Sequence, residues 1–299
     1  MGRVKKEDAN LDEEGREARR LETQERIVRQ IGRLPPMPET AMKLRALAND
    51  PHVDFPQIVP HVEKDPGLCA DLLRYANSAA AGVGHPVETV GEAVRYYGMD
   101  NLLHYIWVFY SNRLVREAFR PLKHLDDYFL HAEQVSTACA ILARRANLVA
   151  HDQEVCKVAG LLHNIGKLVV LLATKRWGDP LEGTPWGRWQ KEIAEEESEY
   201  GLNHCEVGAR LCEKWNFPDK LLKAIRYHHR PMQGGKLIPL AAYVYLGEVL
   251  AIEDLPVEAV AADFRPEDME ALGLDGEDLR RAREEYLAVR PDGSAAAGA

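Results

Sequence analysis

The sequence is short of several things that would have pointed elsewhere. No apolar run approaches the roughly 18 residues that cross a bilayer; the longest, Leu237 to Gly247, has the length of a core helix. The opening stretch, MGRVKKEDANLDEEGREARR, has no apolar segment to serve as a secretion signal. Positive charge is in deficit. A net charge of −9 and a pI near 5.7 favour solubility and argue against a broad grip on nucleic acid or an anionic membrane. Local basic clusters such as Arg113 to Arg120 read more simply as a surface helix. Cys69, Cys139, Cys156, Cys205 and Cys212 show no CxxC spacing and all fall in segments that read as helix. They are expected to be reduced core residues, in a cytoplasmic protein with no membrane contact.

Absent too is any alternating, β-branched pattern, so the expected fold is all-α. With 299 residues the chain can bury a full core, as one large domain or two smaller ones. Residues 1–26 are dense in mixed charge, with Glu25 and Arg29 four apart in the favourable order. They read as a disordered start and a solvated helix, available as a partner-docking or homodimer arm. Leu34-Pro35-Pro36-Met37-Pro38 is a rigid entry to a helix with Met37, Ala41, Leu44 and Ala48 on one face, and Asp50-Pro51 is its stop. Asp65-Pro66 caps and starts another, with Leu68, Leu72 and Ala76 as its buried stripe. Thr89 caps a helix that Gly98 ends, and Asp100 caps the next. Breaks at Arg120-Pro121 and over Gly178 to Gly187 predict two packed helical lobes, about 27–120 and 121–252. A C-terminal tail over 253–299 carries helices from Pro266 and Asp275 and a disordered end.

The second lobe sets polar residues on otherwise apolar faces. His131 lies in a helix over Tyr128 to Leu148, in line with Val135, Ala138 and Leu142. His163-Asn164 ends an apolar run, just before Ile165-Gly166-Lys167, where a glycine stop puts both residues at a helix C-terminus inside the core. His204 opens a helix whose face continues through Val207, Gly208, Leu211 and Trp215. His228 and His229, as helix neighbours, point about 100° apart; they share one focus only if the helix stops there, and Pro231 signals that stop. Glu248 is the only acid between Lys236 and Ile252. A single core histidine is more often hydrogen-bonded filler than a ligand. Several imidazoles and a carboxylate from different helices, all facing inward, are what a metal site in a helical fold requires.

The order of these motifs is similar to that of the HD superfamily of metal-dependent phosphohydrolases. The stretches LPPMPETAMKL, EKDPGLCADLLRYANSA, TVGEAVRYYGMDNL, GLLHNIGKLVV and HCEVGARLCEKWNFPDKLLKAIRYHHRP resemble the HDOD family, the HD-related output domain of bacterial signalling proteins. The likeness runs from near Ile27 to near Ile252. It implies an HD-like helical bundle for the second lobe and candidate metal positions at His131, His163, Asn164, His204, His228, His229 and Glu248, with Lys167 as a candidate ligand contact. Asn164 stands where the catalytic families carry aspartate. An amide oxygen is a poor substitute for a carboxylate. The resemblance with this departure implies no cofactor or one weakly bound divalent metal. It also implies a regulatory role through a small-molecule ligand or a signalling protein. The competing expectation is a metal-dependent phosphohydrolase acting on a nucleotide or cyclic dinucleotide.

Overall fold

A computed structural model describes residues 12–48, 52–77, 85–120, 122, 125–175, 185–252 and 263–291. Among these the fold is all-α. The first lobe holds α2 (Glu39–Ala48), α3 (Phe55–Val62), α4 (Pro66–Ala76) and α5 (Val90–Phe119). Asp65 caps α4 through its carboxylate, which accepts from the amides of Gly67 and Leu68, and Leu68, Leu72 and Ala76 form its buried stripe. Thr89 and Glu92 make a reciprocal capping box at the start of α5. Gly98, expected to end that helix, instead kinks it through a left-handed φ of 71°. The expected stop at Asp50-Pro51 lies outside the described residues, as do the starting segment over 1–11 and the end beyond 291.

The second lobe contains α6 (Leu125–Arg145), α7 (Ala150–Leu162), α8 (Ile165–Thr174), α9 (Pro185–Tyr200), α10 (His204–Lys214), α11 (Asp219–Tyr227) and α12 (Pro239–Ala251). Helices α6 and α7 pair closely, α12 lies across both, and α10 bridges α8 and α11. The lobes meet where α5 packs on α7. Helices α13 (Pro266–Leu272) and α14 (Gly276–Val289) follow, with α14 on α6 and α12. Its Arg283 donates to the carbonyls of Val249 and Ile252, which ties down the end of α12.

The N-terminal helix, α1 (Glu13–Arg33), is less solvated than its composition implies. It buries Ile27 and Ile31 and rests on α8, α9 and α10, so this helix, although it precedes the first lobe in sequence, packs on the second. Lys214 donates to the carbonyls of Ile31, Gly32 and Leu34, and Trp215 to that of Pro35. These bonds satisfy carbonyls that the helix end and the prolines leave open. The expected Glu25–Arg29 pair is present at 3.9 Å.

Three local expectations change. Of the irregular loop placed over Gly178 to Gly187, the last three residues are helical, because Pro185 serves as the first residue of α9. Gly166 does not stop a helix but sits inside α8, where a Cβ would run into the His204 carbonyl and the Gly208 amide. A two-stranded hairpin, Met232–Gln233 with Lys236–Leu237, turns through Gly234 and Gly235, both at positive φ. The stretch Asp152–Thr174 has the length and hydropathy of a membrane span, yet 72% of its apolar window is buried against the rest of the fold. It is also two helices, parted at His163-Asn164.

Candidate functional site

The break between α7 and α8 places the central groups. Leu162 is the last residue of α7, His163 its C-cap and Asn164 the N-cap of α8, and both capping side chains are buried. His163 Nδ1 donates to the Gly160 carbonyl at 2.7 Å, while Nε2 faces Glu248 Oε1 at 3.1 Å. Glu248, from the middle of α12, is 3% exposed, and its second oxygen is 3.2 Å from His229 Nδ1. His131 Nε2 is 3.7 Å from Glu248 Oε1 and 3.4 Å from Asn164 Nδ2. The expected helix over Tyr128 to Leu148 is thus present with shifted ends, but His131 is half-exposed at a mouth rather than inside the stripe formed by Val135, Ala138 and Leu142.

His131 and Asn164 line a pocket of about 240 Å³ with Glu248, Lys167, Trp189 and Asp127. Lys167 reaches it as expected, though Glu192 of α9 already holds the ammonium at 2.9 Å. Burial opposes that charge, but Glu192, with Glu196 and Glu248 beyond it, raises the Lys167 pKa. Burial pushes His163, His228 and His229 down, His228 and His229 far down, so all three are neutral near pH 7. Burial also opposes ionisation of Glu248, but its interactions with His229, His163 and His131 outweigh this and hold its pKa well below the usual carboxylate value.

His163, Asn164, His131 and Glu248 therefore gather as predicted, and they fit a divalent cation. A neutral imidazole has one N–H. With Nδ1–H committed to Gly160, His163 aims a lone pair from Nε2 at the Glu248 carboxylate, an arrangement that calls for a cation between them. The Asn164 Oδ1 atom is buried and has no hydrogen-bond partner. His131, His163 and Glu248 each offer a ligand atom within 4.8 Å of the others.

The remaining predicted histidines lie deeper. His228 caps α11, which stops there as Pro231 signalled, and its ring centroid is 4.0 Å from that of His229. His204 Nδ1 bonds Glu196 Oε2 at 2.7 Å, and the same oxygen accepts the His204 amide at 2.8 Å. Burial opposes protonation of His204, but Cys205 and Glu196 overcome it and raise its pKa well above the usual value. Glu192, Glu196 and Trp189 were not singled out from the sequence. In a charged helix such as α9 their spacing marks only an exposed face; the contacts arise from how α9 lies over the cluster.

Residues 34–231 match the HDOD domain. Over 203 residues the chain is 26% identical to an uncharacterized protein of Treponema pallidum, covering 68% of this chain and 39% of that one. Over 104 residues it is 26% identical to ribonuclease Y of Aquifex aeolicus, covering 35% and 13%. The chain thus spans well under half the length of these curated relatives. Among solved structures, a protein of Marinobacter aquaeolei VT8 provisionally assigned to signal transduction superposes with a TM-score of 0.64 at 25% identity, covering 97% of this chain and 66% of its own. An HDOD domain protein of Geobacter sulfurreducens gives 0.63 at 22% identity, covering 91% and 94%, and shares the fold. With the domain match spanning most of its length, the chain belongs to the HDOD family.

Proposed function

We propose that the chain is a signalling module that binds a small ligand or a protein partner at the pocket of His131, Asn164 and Lys167 without hydrolysing it. The observation that carries this is Asn164. Its neutral amide oxygen is buried beside His163 and Glu248, at the position where the catalytic HD families carry an anion. An ion held by His131, His163, Asn164 and Glu248 faces a single carboxylate, so one positive charge stays uncompensated and affinity falls. The signal-transduction assignment of the Marinobacter relative supports the same reading.

The ion, when bound, would acidify water and polarise a phosphoryl oxygen. The phosphohydrolase reading draws its support from the His163 lone pair aimed at Glu248 and from the likeness to ribonuclease Y. Metal analysis and a phosphodiester panel separate the two. The expected result is an inert native chain and an Asn164→Asp variant that binds Mn2+ about tenfold or more tightly. Turnover by the native chain at physiological rates, lost in His163→Ala, would establish the enzyme instead.

A further inference from the structure

Helix α9 borders the pocket and is held there mainly by polar contacts. Between positions 189 and 200 it buries only Trp189 and Ile193, whereas α8 buries Ile165, Leu168, Val169, Val170 and Ala173. Glu192 Oε1 is 2.9 Å from Lys167 Nζ, Glu196 accepts from the His204 amide at 2.8 Å, and Gln190 donates to the His229 carbonyl at 2.8 Å. Glu197 accepts from Asn203 at 2.6 Å, and Arg230 donates to Gln190 at 2.9 Å. Water or a ligand can replace such bonds at little cost, which an apolar core does not allow. The helix that α9 packs on most is α1. There Gly201, left-handed at φ 72°, stands so close that a Cβ would meet the Gln24 and Arg20 side chains. Towards its start α1 stands off, and Glu13, Glu14, Glu17 and Leu21 face Glu197 and Ser198 across a cleft of about 1040 Å³. The other end of α1 is fixed by Ile27, Ile31 and the bonds from Lys214 and Trp215.

We propose that α9 is a latch: the Lys167–Glu192 pair holds it over the pocket, an anion entering the pocket takes Lys167 from Glu192, and α1 receives the resulting shift. This rests on the pocket being a ligand site, as proposed above, and adds how its occupancy is transmitted. Lys167 is the only lysine or arginine among the residues that line the pocket, so a ligand that competes for it is an anion. The Lys167 and Glu192 side chains are 24% and 23% exposed, open enough to exchange partners and sheltered enough for charge to matter. Around Lys167 the Glu192 carboxylate is joined by those of Glu196 and Glu248. A further anion on one ammonium among three carboxylates meets repulsion unless one of them withdraws. Glu248 is fixed in the middle of α12, and Glu196 is held by two bonds from His204. Glu192 is the one that can leave. Trp189, Glu192 and Glu196 share one face of α9, at spacings of three and four, so freeing Glu192 loosens that face. The cleft towards α1 leaves the helix room to move.

Hydrogen exchange and calorimetry test this on the full chain in chelator, with inorganic phosphate as the probe. Phosphate should speed amide exchange by about tenfold in residues 189–200 and 13–24 and leave α4 unchanged. Glu192→Gln should show that faster exchange without phosphate and bind phosphate about tenfold more tightly, since the coupling is reciprocal. Binding seen only in Glu192→Gln also supports the latch, because the native pair then outcompetes phosphate. Lys167→Gln should exchange fast from the start and bind no phosphate. Three results overturn the proposal: phosphate binding to the native chain without faster exchange in both segments, a Glu192→Gln chain that loosens α9 but binds phosphate no more tightly, and phosphate binding that survives in Lys167→Gln. Failure of both the native and Glu192→Gln chains to bind phosphate does the same. Should Lys167→Gln not fold, the other two proteins decide. Hydrolysis of a phosphodiester by the native chain would sink the signalling reading yet leave the latch standing, because phosphate binding needs no turnover.

Discussion

The two lobes are built on opposite terms. Helices α2–α5 bury Leu44, Ile58, Leu68, Leu72, Val94 and Tyr110, and no polar or charged side chain of theirs is among those found buried. The second lobe buries His163, Asn164, His204, His228, His229 and Glu248 in one connected group. Burying such groups costs free energy unless each finds a partner, and several here have none. The first lobe therefore keeps its polar groups at helix ends and on the surface and fills its core with apolar side chains, whereas the second gives up stability to hold a polar cluster.

The contrast breaks most sharply at close packing. Gly166→Ala pushes a methyl group into the His204 carbonyl and should destabilise by about 3 kcal/mol or prevent folding. It should also weaken metal binding at the His131, His163 and Glu248 pocket, because Asn164 caps the helix that carries Gly166. Leu72→Ala should cost a similar 2–5 kcal/mol by leaving a cavity, yet shift metal affinity less than twofold. Urea denaturation with metal titration checks both, and equal metal responses would show the lobes to be coupled.

Acid sharpens the comparison next. His163, His228 and His229 have folded pKa values below the ordinary 6.5, so the unfolded chain takes up protons first and stability falls as pH drops below about 6.5. Each proton taken up only by the unfolded chain costs about 1.4 kcal/mol per pH unit. His204, raised, works the other way: its contribution is full below 6.5 and is lost as pH rises through its folded value. In chelator, hydrogen exchange should show α8 and α11 losing protection below pH 6.5 before α4 does. Simultaneous loss would mean that both lobes open together. The smallest effect belongs to Thr89→Ala, which removes a helix cap in the first lobe for about 1 kcal/mol. It should leave the acid response unchanged, as a pH series of melting curves would reveal.

The legible features were those set by local chemistry. Asp65-Pro66 and Thr89 fixed their helix starts because a cap and its amides lie within three residues. Pro231 announced the helix end that lets His228 and His229 share a focus. His131 read as buried because its stripe is buried, but it stands near the start of α6, where Asp127, Tyr128 and His131 border the pocket, and its ring opens there. Gly166 read as a stop because glycine's absent side chain serves both to end helices and to let two helices approach, and only the neighbouring helix distinguishes these uses.

By itself the sequence determined the all-α fold and the caps at Asp65 and Thr89, since periodicity and capping act over a few residues, and its motifs carried the resemblance to the family. Tertiary structure alone decided that α1 lies on the second lobe, that Glu192 and Glu196 of a charged helix reach Lys167 and His204, and that Gly166 sits against the His204 carbonyl. Those contacts join residues far apart in the chain, and their energies depend on burial and orientation, which exist only once the helices have packed.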